Sequence, residues 1–240
     1  MDESVDPEVA LSPATLAALK SFLQEKEAAK QHDLDEMNSQ KLQPRLNMSE
    51  NWQLSQFWYD EATCQRLGQE ILFLGKEIHM KSNEQVNVAC LSCPSIYKAL
   101  VAIEFPAYMN VYIFEIDERF SVFGSSFVHY DFNKATELPP FLLRTTDIIA
   151  LDPPFLNKDT LSCFARSVFA LRRSNEVKIL HCSGRVMCKP TRVLLGCRPC
   201  KLPIKHQDGR LSNPFALFVN YDADNERLGG YDTELESCSE

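Results

Sequence analysis

An apolar run, Asp147-Ile148-Ile149-Ala150-Leu151, leads without a break into Asp152-Pro153-Pro154-Phe155. Paired prolines stiffen the exit from such a strand and leave nearby carbonyls without strand partners, so those carbonyls and the Asp152 carboxylate converge as acceptors. Acceptors are what a nucleophilic amine requires. They hold its N–H groups and aim the nitrogen lone pair at an electrophilic methyl. Phe155 offers a flat wall for a base or a π face for a cationic side chain. The structural alternative is a rigid Asp-Pro turn capping the strand; the apolar strand in front favours chemistry.

Three other strand ends carry residues of the same kind. The run Val86–Leu91 passes into Ser92-Cys93-Pro94-Ser95, a turn with no glycine, in which small side chains permit close approach and Pro94 suits a first helical turn. The missing glycine argues against a pyrophosphate ligand such as NAD. A second run ends Phe114-Glu115-Ile116-Asp117. Acids at that place accept hydrogen bonds from ribose hydroxyls in dinucleotide folds, and Glu115 and Asp117 both qualify. The alternative is a surface carboxylate paired with Arg119. A third run ends Val128-His129-Tyr130-Asp131, where Asp131 is placed to meet an adenine amino group. Upstream, Trp52, Gln53, Phe57, Trp58 and Tyr59 form a cluster too aromatic for a plain linker. One structural reading is a hydrophobic staple docking an N-terminal arm.

The elements that position these residues follow from periodicity. Strand-like runs at Val86–Leu91, Val111–Ile116, Phe127–Asp131, Asp147–Leu151, Val177–Cys182 and Phe215–Tyr221 alternate with helical patterns at Pro94–Ile103, Asp159–Arg173 and Gly184–Leu195. Alternation of this kind predicts an α/β, doubly wound, mostly parallel sheet with helices on both faces and ligands at the strand tails. A further helix is expected over 12–37, then a polar linker to residue 50. The domain reading is an acidic N-terminal helical arm and linker (1–50), a catalytic domain (51–222) and an acidic tail expected to be disordered (223–240).

Length and composition agree with one main domain: 240 residues, 45% hydrophobic, with no apolar run long enough to span a bilayer. The first ten residues carry four acids and resemble neither a secretory signal nor a transit peptide, so a cytosolic chain is expected. The net charge of -8 hides a contrast. Residues 178–210 hold eight Lys or Arg against one acid, a face for an acidic partner or phosphate backbone, or simply a solvated one. The nine cysteines include two CxxC pairs, Cys90/Cys93 and Cys197/Cys200, too far apart in sequence to predict a zinc site; no metal is expected.

From Asn51 onward the chain resembles a class I S-adenosylmethionine-dependent methyltransferase, with Asp152-Pro153-Pro154-Phe155 in the place of the Asp/Asn-Pro-Pro-aromatic motif of amino-group methyltransferases. More closely, Glu50-Asn51-Trp52-Gln53-Leu54-Ser55-Gln56-Phe57-Trp58-Tyr59, Tyr112–Phe120 and Phe218-Val219-Asn220-Tyr221-Asp222 are similar to the small eukaryotic family that methylates a lysine of translation elongation factor 1-alpha, earlier described as putative adenine DNA methyltransferases. The resemblance spans about residues 12–222. It implies a Rossmann-like seven-stranded sheet, S-adenosylmethionine as cofactor, and elongation factor 1-alpha as protein substrate. It also implies cofactor contacts at Ser92, Pro94, Glu115 and Asp131, a catalytic loop at Asp152 to Phe155, and a substrate contact or lid at the Trp52–Tyr59 cluster, which lies where such enzymes close over the cofactor or substrate. The chain departs from the family pattern at Phe155, where Tyr is commoner, and over 184–210. A monomer is expected, and the alternative acceptor is the adenine amino group of RNA or DNA.

Overall fold

The computed structural model describes residues 56–207 and 213–237. The arm expected over 12–37, and Trp52 and Gln53, lie outside the described residues. Helix α1 spans Glu61–Ser82; Asp60 caps it by accepting from the Thr63 N–H at 2.8 Å, and Asn83 ends it with φ 56°. Strand β1 (Val86–Leu91), helix α2 (Pro94–Ile103) and strand β2 (Met109–Glu115) form the first βαβ unit. Strands β3 (Phe127–His129) and β4 (Ile148–Leu151), helix α3 (Lys158–Leu171) and strand β5 (Lys178–Gly184) follow. Helix α4 (Cys188–Leu195), strands β6 (Arg198–Ile204) and β7 (Phe215–Val219) and helix α5 (Thr233–Ser237) complete the order.

The seven strands lie in the order β3-β2-β1-β4-β5-β7-β6. β3 through β5 are parallel, while β7 runs antiparallel to both β5 and β6. This is the Rossmann-like sheet expected from the sequence. The expected strands and helices that fall on the described residues recur within a few residues; periodicity alone missed β6 and the short α5. The β6 sequence, Arg-Pro-Cys-Lys-Leu-Pro-Ile, alternates buried apolar with charged or proline positions. Two prolines are tolerated because β6 is the edge strand of the sheet, its outer side meeting only a short bridge at Cys200 and Tyr231, and because its register against β7 shifts between Cys200 and Pro203.

Burial explains the order. All four residues of β4 are buried, as a strand covered by helices on both faces must be. On one face Leu161, Phe164, Val168 and Leu171 of α3, with Cys188 and Leu195 of α4, join Ala89, Leu91, Phe114, Ile149 and Leu151 of the sheet. Full burial of each large side chain contributes roughly 1.5–3 kcal/mol. α1 lies close against β2: a Cβ at Gly75 would stand 2.7 Å from Met109 Sδ.

The tail expected to be disordered is ordered through residue 237. Leu228 is fully buried, and Leu235 belongs to the α3/α4 core. Its acids meet the basic segment: Asp232 pairs with Arg185 at 3.2 Å, and Glu236 with Arg192 at 3.3 Å and Arg198 at 2.9 Å. Arg227 closes on the buried Glu70 at 2.8 Å. Two apolar anchors and these pairs outweigh the polar composition from which disorder was expected. Among the described residues no helix is long and apolar enough to cross a membrane.

Candidate active site

Parallel register brings the strand tails to one level. Leu91 pairs with Phe114 on one side and Leu151 on the other, so Ser92, Glu115 and Asp152 emerge side by side. The tails are stitched by backbone bonds, Ser92 N–H to the Phe114 carbonyl at 2.8 Å and Asp152 N–H to the Leu91 carbonyl at 3.2 Å. β1 and β4 are where the strand order reverses, the place at which such sheets bind ligands. A cavity of about 230 Å³ opens there. Its wall includes Ser92, Pro94, Glu115 and the whole Asp152–Leu156 loop.

The glycine-free first turn makes its approach another way. Ser92 adopts φ 49°, a left-handed conformation that ordinarily falls to glycine, and so turns β1 sharply into α2. Cys93 Sγ donates to the Ala150 carbonyl at 3.4 Å, tying this turn to β4. Gly184 at the end of β5 makes room for the Asp152–Leu156 loop, since a Cβ there would stand 2.7 Å from Leu156 Cδ1.

Glu115 is 3% exposed. Its Oε1 accepts from the N–H groups of Ile116 at 3.1 Å and Asp117 at 3.4 Å, and from Gln56 Nε2 at 3.4 Å. Burial nonetheless pushes its carboxyl up to about 7. Asp117 takes the ion-paired alternative. Its Oδ2 meets Arg119 Nη2 at 2.6 Å and Gln56 Nε2 at 3.1 Å, and it does not line the cavity. Burial would raise this carboxyl, but the Arg119 bonds prevail and hold it below the usual range. Asp131 is likewise engaged elsewhere, its Oδ1 capping the short 132–134 turn through the Asn133 N–H at 2.9 Å. Its neighbours Tyr130 and Phe132 line the cavity in its place.

Asp152 is the second carboxylate of the wall. Burial pushes it up to about 7, the Tyr59 hydroxyl pulls the other way by donating to Oδ2, and the charge of Glu115 adds to the rise. Phe155 is 48% exposed at the rim, edge-on to Phe132 with ring centroids 6.2 Å apart. Phe57 lines the cavity, while Trp58 is buried beneath Lys98, whose Nζ stands 3.7 Å from the ring centroid.

Sequence reasoning missed Gln56, which links Glu115, Asp117 and Arg119 Nη2, the last donating to its Oε1 at 3.2 Å. It stands in the Asn51–Tyr59 motif, where the aromatics are the stronger signal. His206, Asn213 and Phe215 also line the cavity, brought there by pairing far apart in sequence. Asn220 of the third motif serves the sheet: its side chain accepts from the Ile179 N–H and donates to the Val177 carbonyl, each at 2.8 Å. Among the described residues no three His, Cys, Asp or Glu converge as metal ligands.

A seven-stranded sheet of this order, with an Asp-Pro-Pro-aromatic loop at its switch point, is the sheet of a class I methyltransferase. The sequence model described as "Probable N6-adenine methyltransferase" matches residues 50–223, and the chain belongs to that family. Curated relatives span nearly all of it. EEF1A lysine methyltransferase 1 of Mus musculus is 35% identical over 226 residues, 93% of this chain and 97% of the relative. The Homo sapiens protein of the same name is 34% identical, covering 89% of this chain and 92% of the relative. Protein-lysine N-methyltransferase CG9154 of Drosophila melanogaster is 32% identical, covering 92% and 97%. A solved SAM dependent methyltransferase from Aquifex aeolicus aligns with TM-score 0.39 at 10% identity, over 68% of this chain and 100% of that one.

Proposed function

We propose that this protein is an S-adenosylmethionine-dependent protein-lysine N-methyltransferase acting on elongation factor 1-alpha, as a monomer in the cytosol. The observation that carries the chemistry is the Asp152–Phe155 loop, set at the switch point beside a buried carboxylate on the β2 tail. The substrate rests on the relatives, whose names specify a lysine of EEF1A and whose length this chain matches.

The residues present fit the cofactor. Glu115, its Oε1 fixed by two backbone N–H groups, is placed to accept from a ribose diol. Ser92 with its left-handed backbone and Pro94 allow close approach, and Phe132 and Tyr130 wall the side where a flat base would lie. When bound, S-adenosylmethionine supplies an electrophilic methyl on a sulfonium that is already a good leaving group.

What remains for the protein is to align the amine, exclude water and manage a proton. An unperturbed lysine with pKa about 10.4 is neutral only to ~10⁻³ near pH 7.4, a cost of about 4 kcal/mol. An ordinary aspartate would be a poor acceptor for that proton. Asp152, raised to about 7, is far better matched to hold it, and it holds the N–H groups of the neutral amine in the same place. Phe155 at the rim presents a π face to the approaching ammonium.

The adenine reading keeps a smaller basic surface than the sequence offers. Of the basic segment, Arg185, Arg192 and Arg198 are paired with the C-terminal acids. The deciding experiment is transfer of labelled methyl from S-adenosylmethionine with purified elongation factor 1-alpha in one tube and total RNA or DNA in another. Label on the protein, lost when its acceptor lysine becomes Arg, is the expected result. Label confined to nucleic acid would move the acceptor to adenine.

A further inference from the structure

The sequence suggests a lid for the segment around Tyr59, yet the surroundings of this residue are those of a fixed strut. Tyr59 is 3% exposed and forms an antiparallel bridge with His206. On either side of the bridge, Gln207 N–H donates to the Trp58 carbonyl at 2.8 Å and Asp60 N–H to the Lys205 carbonyl at 2.9 Å. The Tyr59 N–H donates to Ser95 Oγ at 3.3 Å, and the next residue, Asp60, already caps α1. A segment bonded to α1, α2 and the end of β6 has no freedom to open as a flap without breaking all three connections.

This strut points its one polar group at the catalytic loop. The Tyr59 hydroxyl donates to Asp152 Oδ2, which leaves Oδ1 as the oxygen on which an incoming amine can be held. We infer that Tyr59 is a positioning residue for the methyl transfer proposed above: its hydroxyl fixes the Asp152 carboxylate by one oxygen and keeps it charged, an acceptor rather than a donor, when the amine arrives. The inference rests on that functional reading for its meaning, and on the geometry for its existence.

The balance of charges gives it a sign. Asp152 faces Tyr59 from the strut and Glu115 from the β2 tail. Tyr59 in turn faces Asp152, Cys182 of β5 and Cys93 of the β1–α2 turn, with the His206 ring centroid 5.0 Å from its own. Burial and these neighbours raise the phenol well above its ordinary range, so it remains a donor at every working pH. Burial and Glu115 favour a protonated Asp152, and the Tyr59 hydroxyl opposes them. A protonated Asp152 would present an O–H to the amine and could take no proton from it.

The test reads the carboxyl itself. In the full chain labelled with ¹³C at aspartate carboxyls, the Asp152 resonance is identified by its loss in Asp152→Asn, and its titration midpoint is compared between the wild type and Tyr59→Phe. Loss of a hydrogen bond to a charged acceptor should raise the midpoint by about one pH unit. 3-Fluorotyrosine placed at position 59, a stronger donor that keeps the packing, should lower it, and this variant decides the matter should Tyr59→Phe fold poorly. With elongation factor 1-alpha as acceptor, the acid limb of kcat should move upward with the midpoint in Tyr59→Phe, with KM unchanged and the rate recovering at higher pH. A midpoint that neither variant moves, or a rate depressed equally at every pH, overturns the positioning role. Shifted midpoints in a protein that leaves elongation factor 1-alpha unlabelled would instead refute the substrate and leave the Tyr59–Asp152 coupling standing.

Discussion

Two carboxylates sit side by side at the mouth of the sheet, both pushed up to about 7 by burial, and their neighbours divide the work between them. Glu115 accepts from backbone N–H groups and Gln56, a setting suited to static hydrogen bonding with a ligand. Asp152 stands on a loop stiffened by two prolines and is touched by one phenol, a setting suited to a changing partner. Asp152→Ala is therefore expected to lower kcat by roughly 10²–10⁴-fold, the range of a lost positioned acid–base group, while the dissociation constant of S-adenosylmethionine changes only a few-fold. Single-turnover rates with calorimetric cofactor binding separate the two, and equal losses in both would assign Asp152 to cofactor binding. Glu115 yields a prediction in stability. Its folded pKa lies above the unfolded value, so the folded state binds an extra proton between about pH 4.5 and 7, and its burial is tolerated best below that window. As pH rises through 7 the cost grows to a few kcal/mol. Glu115→Gln, which keeps the acceptor for Ile116 N–H and removes the charge, should gain Tm relative to wild type at pH 8 and show little advantage at pH 5. Thermal melts at the two pH values check this, and a difference independent of pH would contradict it.

At the scale of elements, the chain carries its own punctuation where the forces are local. Val86–Leu91 and Pro94–Ile103 match their observed bounds because a buried parallel strand is a short β-branched run and Pro at a first turn starts a helix. Residues whose role depends on a distant segment are a different matter. Gln56 and His206 reach the site because residues 58–60 pair with 205–207, a contact between segments about 150 residues apart that no periodicity announces. Asp117 and Asp131 each stand at a strand tail as candidate cofactor contacts, and an Arg two residues on, or an Asn two residues on, also engages the carboxylate locally, a competition that strand position alone does not reveal. The motif ending Asn220-Tyr221-Asp222 was legible as a signature and not as a role. Asn220 bonds both Val177 and Ile179, holding the start of β5 against the end of β7. Asn220→Ala strips two hydrogen bonds from that junction and should cost about 1–3 kcal/mol, or roughly 2–10 °C in Tm, with kcat at 20 °C unchanged because the junction lies at the far end of β5 from the cavity. Calorimetry and initial rates test both halves, and a fall in kcat without a fall in Tm would place Asn220 in the site instead.

The molecule as a whole distributes its charge in a way that net values conceal. The sequence shows a basic stretch and an acidic end; it does not show that one covers the other, because the pairing of Arg198 with Glu236 or Arg185 with Asp232 depends on β6 and α4 lying beside the chain end. Composition alone makes the end look disordered, and two leucines decide otherwise. Leu228 and Leu235 each bury an apolar side chain, and Arg227 pairs with Oε2 of Glu70, whose side chain is 1% exposed. The ion pairs on Asp232 and Glu236 are partly exposed and contribute little each, about 0–1 kcal/mol. The leucines contribute roughly 1.5–3 kcal/mol apiece, and leaving Glu70 buried without Arg227 costs about 3–5 kcal/mol. Truncation after Asp222 is thus expected to remove most of the stability of an ordinary domain, giving a protein that aggregates or melts far below the full chain. Asp232→Asn with Glu236→Gln should melt within a few degrees of wild type and elute from heparin at higher salt, its three arginines uncovered. Differential scanning fluorimetry and heparin chromatography on the three proteins discriminate the two accounts. A truncated chain with unchanged Tm would return the tail to the disordered class and reduce the buried leucines to passive contacts.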